Sequence, residues 1–187
     1  MIFGTTPSQT VGPYFAIGLP WPEGAEAVAE GTPGAVTISG TVYDGAGVPV
    51  PDHLIETWQP DPEGRFADAY GHGGVSEMEG FTGFARAGVE VGDGSFQILT
   101  VKPGRVKEAG GRLQAPHIDV SVFARGMLNR CVTRIYFSDE ATANAEDPIL
   151  ARVPDERRQT LIAAAADGGY RFDIRLQGPG ETVFFAV

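Results

Sequence analysis

The chain has 187 residues, 42% of them hydrophobic, enough for one sizeable core and most consistent with a single domain carrying appendages. Its 14 basic against 24 acidic residues leave a formal net charge of -10, which repels phosphate backbones and anionic headgroups and excludes nucleic acid and membrane surfaces as partners. The start MIFGTTPSQT lacks a basic stretch leading into an apolar one, and no apolar run approaches the roughly 20 residues that span a bilayer, so a cytoplasmic protein is expected.

With 26 Gly and 14 Pro the chain is turn-rich, yet apolar residues alternate between the turns, as in an all-β protein. Residues 1–35 show little periodicity and are expected to form an extended N-terminal arm. The span TVGPYFAIGLPW carries Tyr14, Phe15, Ile17, Leu19 and Trp21, too many apolar groups for a solvated arm, so it should lie on its own domain or a neighbour. Residues 36–187 form the predicted β-domain. AVTISGTVYD sets Val36, Ile38, Gly40 and Val42 on one side, GAGVPVPD turns the chain, and HLIETW begins the next strand. GSFQILTVKPG repeats the pattern with Phe96 and Ile98. In CVTRIYF, Cys131, Thr133, Ile135 and Phe137 oppose Val132, Arg134 and Tyr136. PDERRQTLIAAAADGG has Pro154 at its start, acids in its first turn, an alanine-rich body and Gly168 and Gly169 as a stop, which predicts a helix. YRFDIRL alternates cleanly again. The expected architecture is a mixed two-sheet β-sandwich with one or two short helices.

One strand carries chemistry. In APHIDV, His117, Asp119 and Ser121 project from one face and Ile118, Val120 and Val122 from the other. The apolar side must face the core, so His117 and Asp119 should look towards solvent, a ligand or another subunit. Joined by His53, His72 or Glu56, they would complete a two-histidine, one-carboxylate site for Fe(II). Nothing in the sequence forces these residues together. YGHGG around His72 reads as an exposed loop, and Glu56, between Leu54 and Trp58, is ordinarily explained by a structural hydrogen bond. The lone Cys131 sits in an apolar run and is expected to be a buried, inert thiol.

Six segments, TPSQTVGPYF, SGTVYDGAGVPVPDHLIETWQPDPEGRF, TVKPG, APHIDVSVFARG, RIYFSDE and YRFDIRLQGPGETVFF, together resemble the intradiol ring-cleavage dioxygenases, in order from the arm to the C-terminus. Within that family they resemble the alpha subunits of hetero-oligomeric members. The resemblance implies a β-sandwich, non-haem Fe(III), O2-dependent opening of an ortho-diphenol between its hydroxyls, and a homologous beta subunit with the active site at the alpha-beta interface. Catalytic chains of the family hold the hard ferric ion with two tyrosinates and two histidines, one pair written His-x-His. This chain has His117-Ile118-Asp119, and Lys102-Pro103-Gly104 is followed by Arg105 and Val106 where a ligand tyrosine is expected. Tyr70, in FADAYGHGG, stands in the region of the other tyrosine. His117 and Asp119 are therefore implied to be a degenerate metal site, with the iron held by the beta subunit and no metal by this chain. The resemblance also implies that Thr10, Gly12, Pro13, Tyr14 and Arg125 reach the partner's substrate cavity. An arginine suits an anionic aromatic acid such as protocatechuate. The plainer readings are a solvated turn residue for Arg125 and arm packing for Tyr14. A second hypothesis is a stand-alone prealbumin-like β-sandwich binding module, which GTVYDGAGVPVPD also suits. Copurification of a homologous partner separates the two.

Overall fold

The computed structural model describes residues 7, 9, 10, 12, 14–67, 74–88, 93–108 and 110–186. The chain is mostly β. Among the described residues nine strands run in the order β1 (Ala35–Tyr43), β2 (His53–Trp58), β3 (Phe84–Gly88), β4 (Ser95–Val101), β5 (His117–Ala124), β6 (Cys131–Phe137), β7 (Ile162–Ala166), β8 (Gly169–Arg171) and β9 (Ile174–Arg175). They are linked in one path, β3-β2-β5-β6-β7-β8-β1-β4, with β9 also on β1. The sheet is mixed, as expected: β6–β7, β1–β8 and β1–β9 are parallel and the other pairs antiparallel. The expectation of two separate sheets is corrected, since the path is continuous and its ends, β3 and β4, pack against each other in a nearly closed barrel.

The alternation read from the sequence builds the interior. Ile38, Val42, Phe96 and Ile98 from one wall meet Ile55, Ile118, Val120, Val122, Ile135 and Phe137 from the other. Burying each such side chain contributes roughly 1.5–3 kcal/mol. Gly40 occupies the inward series because a Cβ there would collide with the Phe172 carbonyl and the Phe96 ring.

The predicted helix at 154–169 is mostly absent. Only Asp155–Arg158 (α3) is α-helical; a 3-10 turn follows at Gln159–Leu161, and the alanines form β7. Ala166 pairs with Gly169, so Asp167 and Gly168 make a two-residue hairpin turn, with Gly168 at φ 71°. The small Ala163 fits beside Phe137 in the core, and this tertiary fit overrides alanine's helix propensity. With α1 (Tyr14–Gly18) and α2 (Ala141–Glu146), the described residues hold three short α-helices where one or two were expected.

The arm is tied down unevenly. α1 lies against β2 and buries Phe15, Pro20 meets Gly88, and Trp21 stacks on Phe84 at 6.3 Å. Arg86 lies over the Trp21 ring at 5.1 Å and donates from Nη1 to the Leu19 carbonyl at 3.2 Å. Residues 25–27 then run along β4, where Leu99 N–H donates to the Ala25 carbonyl and Ala27 N–H to the Leu99 carbonyl. Tyr14, Ile17 and Leu19 stay exposed.

Candidate functional site

The two groups of candidate residues mark opposite ends of β5: His117 and Asp119 lie at its start, and Arg125 follows its last residue, where the arm approaches. From His117 to Arg125 is eight residues, about 27 Å at ~3.4 Å per residue, too far for one small-molecule site.

At the first end, His117 and Asp119 do leave the core face, while Ile118, Val120 and Val122 are buried in it. The expectation that His117 faces solvent, a ligand or another subunit is corrected, because His117 is only 4% exposed. The segment from α2 to the 3-10 turn at Gln159–Leu161 lays Ala143, Leu150, Val153 and Leu161 over Tyr136, which pairs with His117 across β5–β6 and lies 5.7 Å from its ring. His117 Nδ1 donates to the Ala115 carbonyl at 2.7 Å. Burial, with Arg134 beside it, pushes the imidazole below its ordinary pKa despite the nearby Asp119 carboxylate. Asp119 accepts from Arg134 Nε at 2.8 Å, and Arg134 Nη1 donates to Gln114 Oε1 at 2.6 Å. Burial opposes the Arg134 charge, but Asp119 and its other neighbours outweigh it and hold the guanidinium above its ordinary value. Beneath them Asp147, fully buried, accepts from the N–H groups of Ala115, Ile149 and Leu150 at 2.7–2.8 Å and from the Tyr136 hydroxyl at 3.2 Å. Burial raises the pKa of Tyr136 well above that of a free phenol.

The alternative Fe(II) ligands do not assemble. His53 pairs with Ala124 and faces the interior beside Phe96, on the opposite side of the sheet from His117. Its Nδ1 donates to the Val50 carbonyl at 2.9 Å, which leaves Nε2 buried without a partner among the described residues. Glu56 shares the face of Asp119 but is held by Arg86 at 2.6 and 2.8 Å, the structural bond expected of it. His72 and Tyr70 lie outside the described residues. Arg105 donates to the carbonyls of Gln114 and Leu113 and pairs with Glu146 at 3.2 Å, while Val106 is buried. Among the described residues no group of three or more His, Cys, Asp or Glu side chains stands close enough to hold a metal ion. Half-buried Cys131 has its thiol pushed up by burial, away from thiolate chemistry.

At the second end, the arm meets the turn after β5. Gly126 N–H donates to Thr10 Oγ1 at 3.0 Å, and Gly12 N–H approaches the same oxygen at 3.5 Å. Gly126, at φ 88°, makes the turn that Arg125 precedes. Arg125 is 62% exposed; its Nε lies 3.0 Å from Asp52 Oδ2, but among the described residues Asp52 Oδ2 accepts no aligned hydrogen bond, so this is proximity of charge. Tyr14 is 79% exposed. Thr10, Gly12, Tyr14 and Arg125 thus stand on neighbouring segments, while Pro13 lies outside the described residues. Arg134, Gln114 and Asp147 were not singled out from sequence. Arg134 alternates outward in CVTRIYF, but only the strand register sets it opposite Asp119.

A mixed, nearly closed β-fold with this His-x-Asp strand matches a known class. The family model described as Dioxygenase matches residues 11–178, and the chain belongs to the intradiol ring-cleaving dioxygenases. It is 47% identical to a protocatechuate 3,4-dioxygenase alpha chain of Burkholderia cepacia, over 97% of both chains. A protocatechuate 3,4-dioxygenase beta chain of the same organism is 30% identical, over 79% of this chain and 66% of its own length. Among solved structures, the dioxygenase domain of a carbohydrate-binding fusion protein from Streptomyces sp. SirexAA-E superposes with a TM-score of 0.55 at 28% identity, over 94% of this chain and all of that one. The family is one of non-haem iron enzymes. The donors at the first end do not fit that ion: His117 is roofed over, Asp119 is neutralised by Arg134, and a guanidinium stands where a cation would have to approach.

Proposed function

We propose that this chain is the alpha-type subunit of a cytoplasmic protocatechuate 3,4-dioxygenase that cleaves protocatechuate with O2 between its hydroxyls to 3-carboxy-cis,cis-muconate. A homologous beta subunit binds the Fe(III), and this chain completes that subunit's substrate cavity with Thr10, Gly12, Pro13, Tyr14 and Arg125. Its own metal site, at His117 and Asp119, is degenerate.

The observation that carries this reading is the bond from Gly126 to Thr10, which ties the arm to the turn beside Arg125. Tyr14 and Arg125 are both exposed, and a cationic and an aromatic group suit an aromatic acid held at a subunit boundary. The likeness of this chain to both an alpha and a beta chain supports a pair of homologous subunits. Arg125→Ala in the copurified complex tests it. Iron content should stay unchanged, and kcat/KM for protocatechuate should fall roughly 10- to 100-fold, the worth of one charged hydrogen bond. Uncharged catechol should lose much less. Equal losses on both substrates, or stoichiometric iron on this chain purified alone, would overturn the reading.

A further inference from the structure

The outward face of β6 opens onto a cavity of about 370 Å³, within the roughly 300–1,000 Å³ typical of small-molecule sites. Val132, Val183 and Phe185 supply apolar wall, and Asp119, Arg134 and Arg152 supply charge. The charges are not equivalent. Asp119 is cancelled by Arg134, whose Nε and Nη1 are already engaged by Asp119 and Gln114. Arg152 is exposed and has neither an ion pair nor a hydrogen bond from its guanidinium among the described residues. The lining therefore carries one uncompensated positive charge, in a chain whose net charge is -10. A free guanidinium beside half-buried apolar wall recognises a carboxylate attached to a compact apolar body. An inorganic anion would leave the wall unused, and an uncharged apolar molecule would leave Arg152 unpaired.

We infer that this cavity is a binding site for a small organic monocarboxylate, with its apolar body against Val132, Val183 and Phe185 and its carboxylate on Arg152.

The test uses the full chain with 13C-labelled valine methyls, titrated separately with benzoate, benzyl alcohol and inorganic phosphate. Benzoate should shift the Val132 and Val183 methyls saturably. Arg152→Met, an exposed change that leaves the core untouched, should weaken benzoate roughly 10- to 100-fold and leave the response to benzyl alcohol unchanged. Val183→Phe should fill the cavity and abolish the benzoate response, and an unchanged valine spectrum elsewhere shows that each variant is folded. Absence of a saturable benzoate shift, equal affinity in Arg152→Met, or phosphate and benzyl alcohol binding as well as benzoate would each overturn the proposal.

Discussion

The two ends of β5 treat their polar groups in opposite ways. At the His117 end, Asp119, Arg134, Gln114, Tyr136 and Asp147 are joined by hydrogen bonds within the chain, so the cluster is a fastening. At the Arg125 end, Thr10 is bonded to the turn, while Arg125 and Tyr14 are exposed and Arg125, among the described residues, has only the charge contact to Asp52. Side chains tied off internally have little left for a ligand, whereas unspent donors on a fixed turn are ready for one. Residues carried over from a family motif need that distinction as much as they need the right identity.

The largest effect that would break the comparison concerns Asp147. Asp147→Ala leaves the N–H groups of Ala115, Ile149 and Leu150 and the Tyr136 hydroxyl without their acceptor. Each unsatisfied buried group costs about 1–3 kcal/mol, so the loss should be at least about 3 kcal/mol, read by urea denaturation. At the other end, Asp52→Ala removes a carboxylate facing a largely exposed arginine and should cost at most about 1 kcal/mol. Similar losses for the two variants would mean that the ends are equally built into the fold.

Much of this was legible from residue order. Alternation located β1, β2, β4, β5 and β6, because one face of each is buried and a period of two is what that burial demands. The resemblance groups the arm with Arg125, and in the fold Thr10 accepts from the N–H of Gly126, the residue after Arg125. Two features were hidden. The alanines at 163–166 have high helix propensity, and only their pairing with β6 and β8 shows why small residues are needed there. Burial of His117 depends on residues 141–161 folding back over the strand, a contact distant in sequence that no local periodicity reports. The Asp119–Arg134 pair is likewise a matter of register.

A smaller effect sharpens the comparison through pH. His117 has its pKa pushed below the ordinary 6.5 by burial, so the native state keeps the ring neutral where the unfolded chain takes up a proton. Stability should therefore be fully present above pH 6.5 and decline as pH falls below it. His53, also depressed by burial, adds to the same slope. The depressed carboxylates Asp93 and Asp139 titrate below 3.8 and leave this window clear. Urea midpoints between pH 7.5 and 5.0 should fall for the parent chain and fall less steeply for His117→Gln. An identical slope in the variant would mean that His117 is not held neutral, and that this end of β5 is more open than its burial indicates.

The smallest expected effect is a null one, and it asks whether the first end is one substitution away from a metal site. Asp119→His restores a His-x-His spacing on one face of β5. It also removes the carboxylate that neutralises Arg134, leaving a guanidinium still bonded to Gln114 on the face where a metal ion would have to enter. His117 stays roofed by the segment that follows β6, and positions 105 and 106 still offer an arginine bound to the loop backbone and a buried valine. The variant purified alone should hold no stoichiometric iron after reconstitution with ferric salt and show no visible tyrosinate-to-iron absorption. Its stability should drop by at most about 1 kcal/mol, since the lost ion pair is partly exposed. Stoichiometric iron with colour from that single change would show that the Arg134 fastening gives way easily, and the contrast between the two ends of β5 would then be one of occupancy and not of construction.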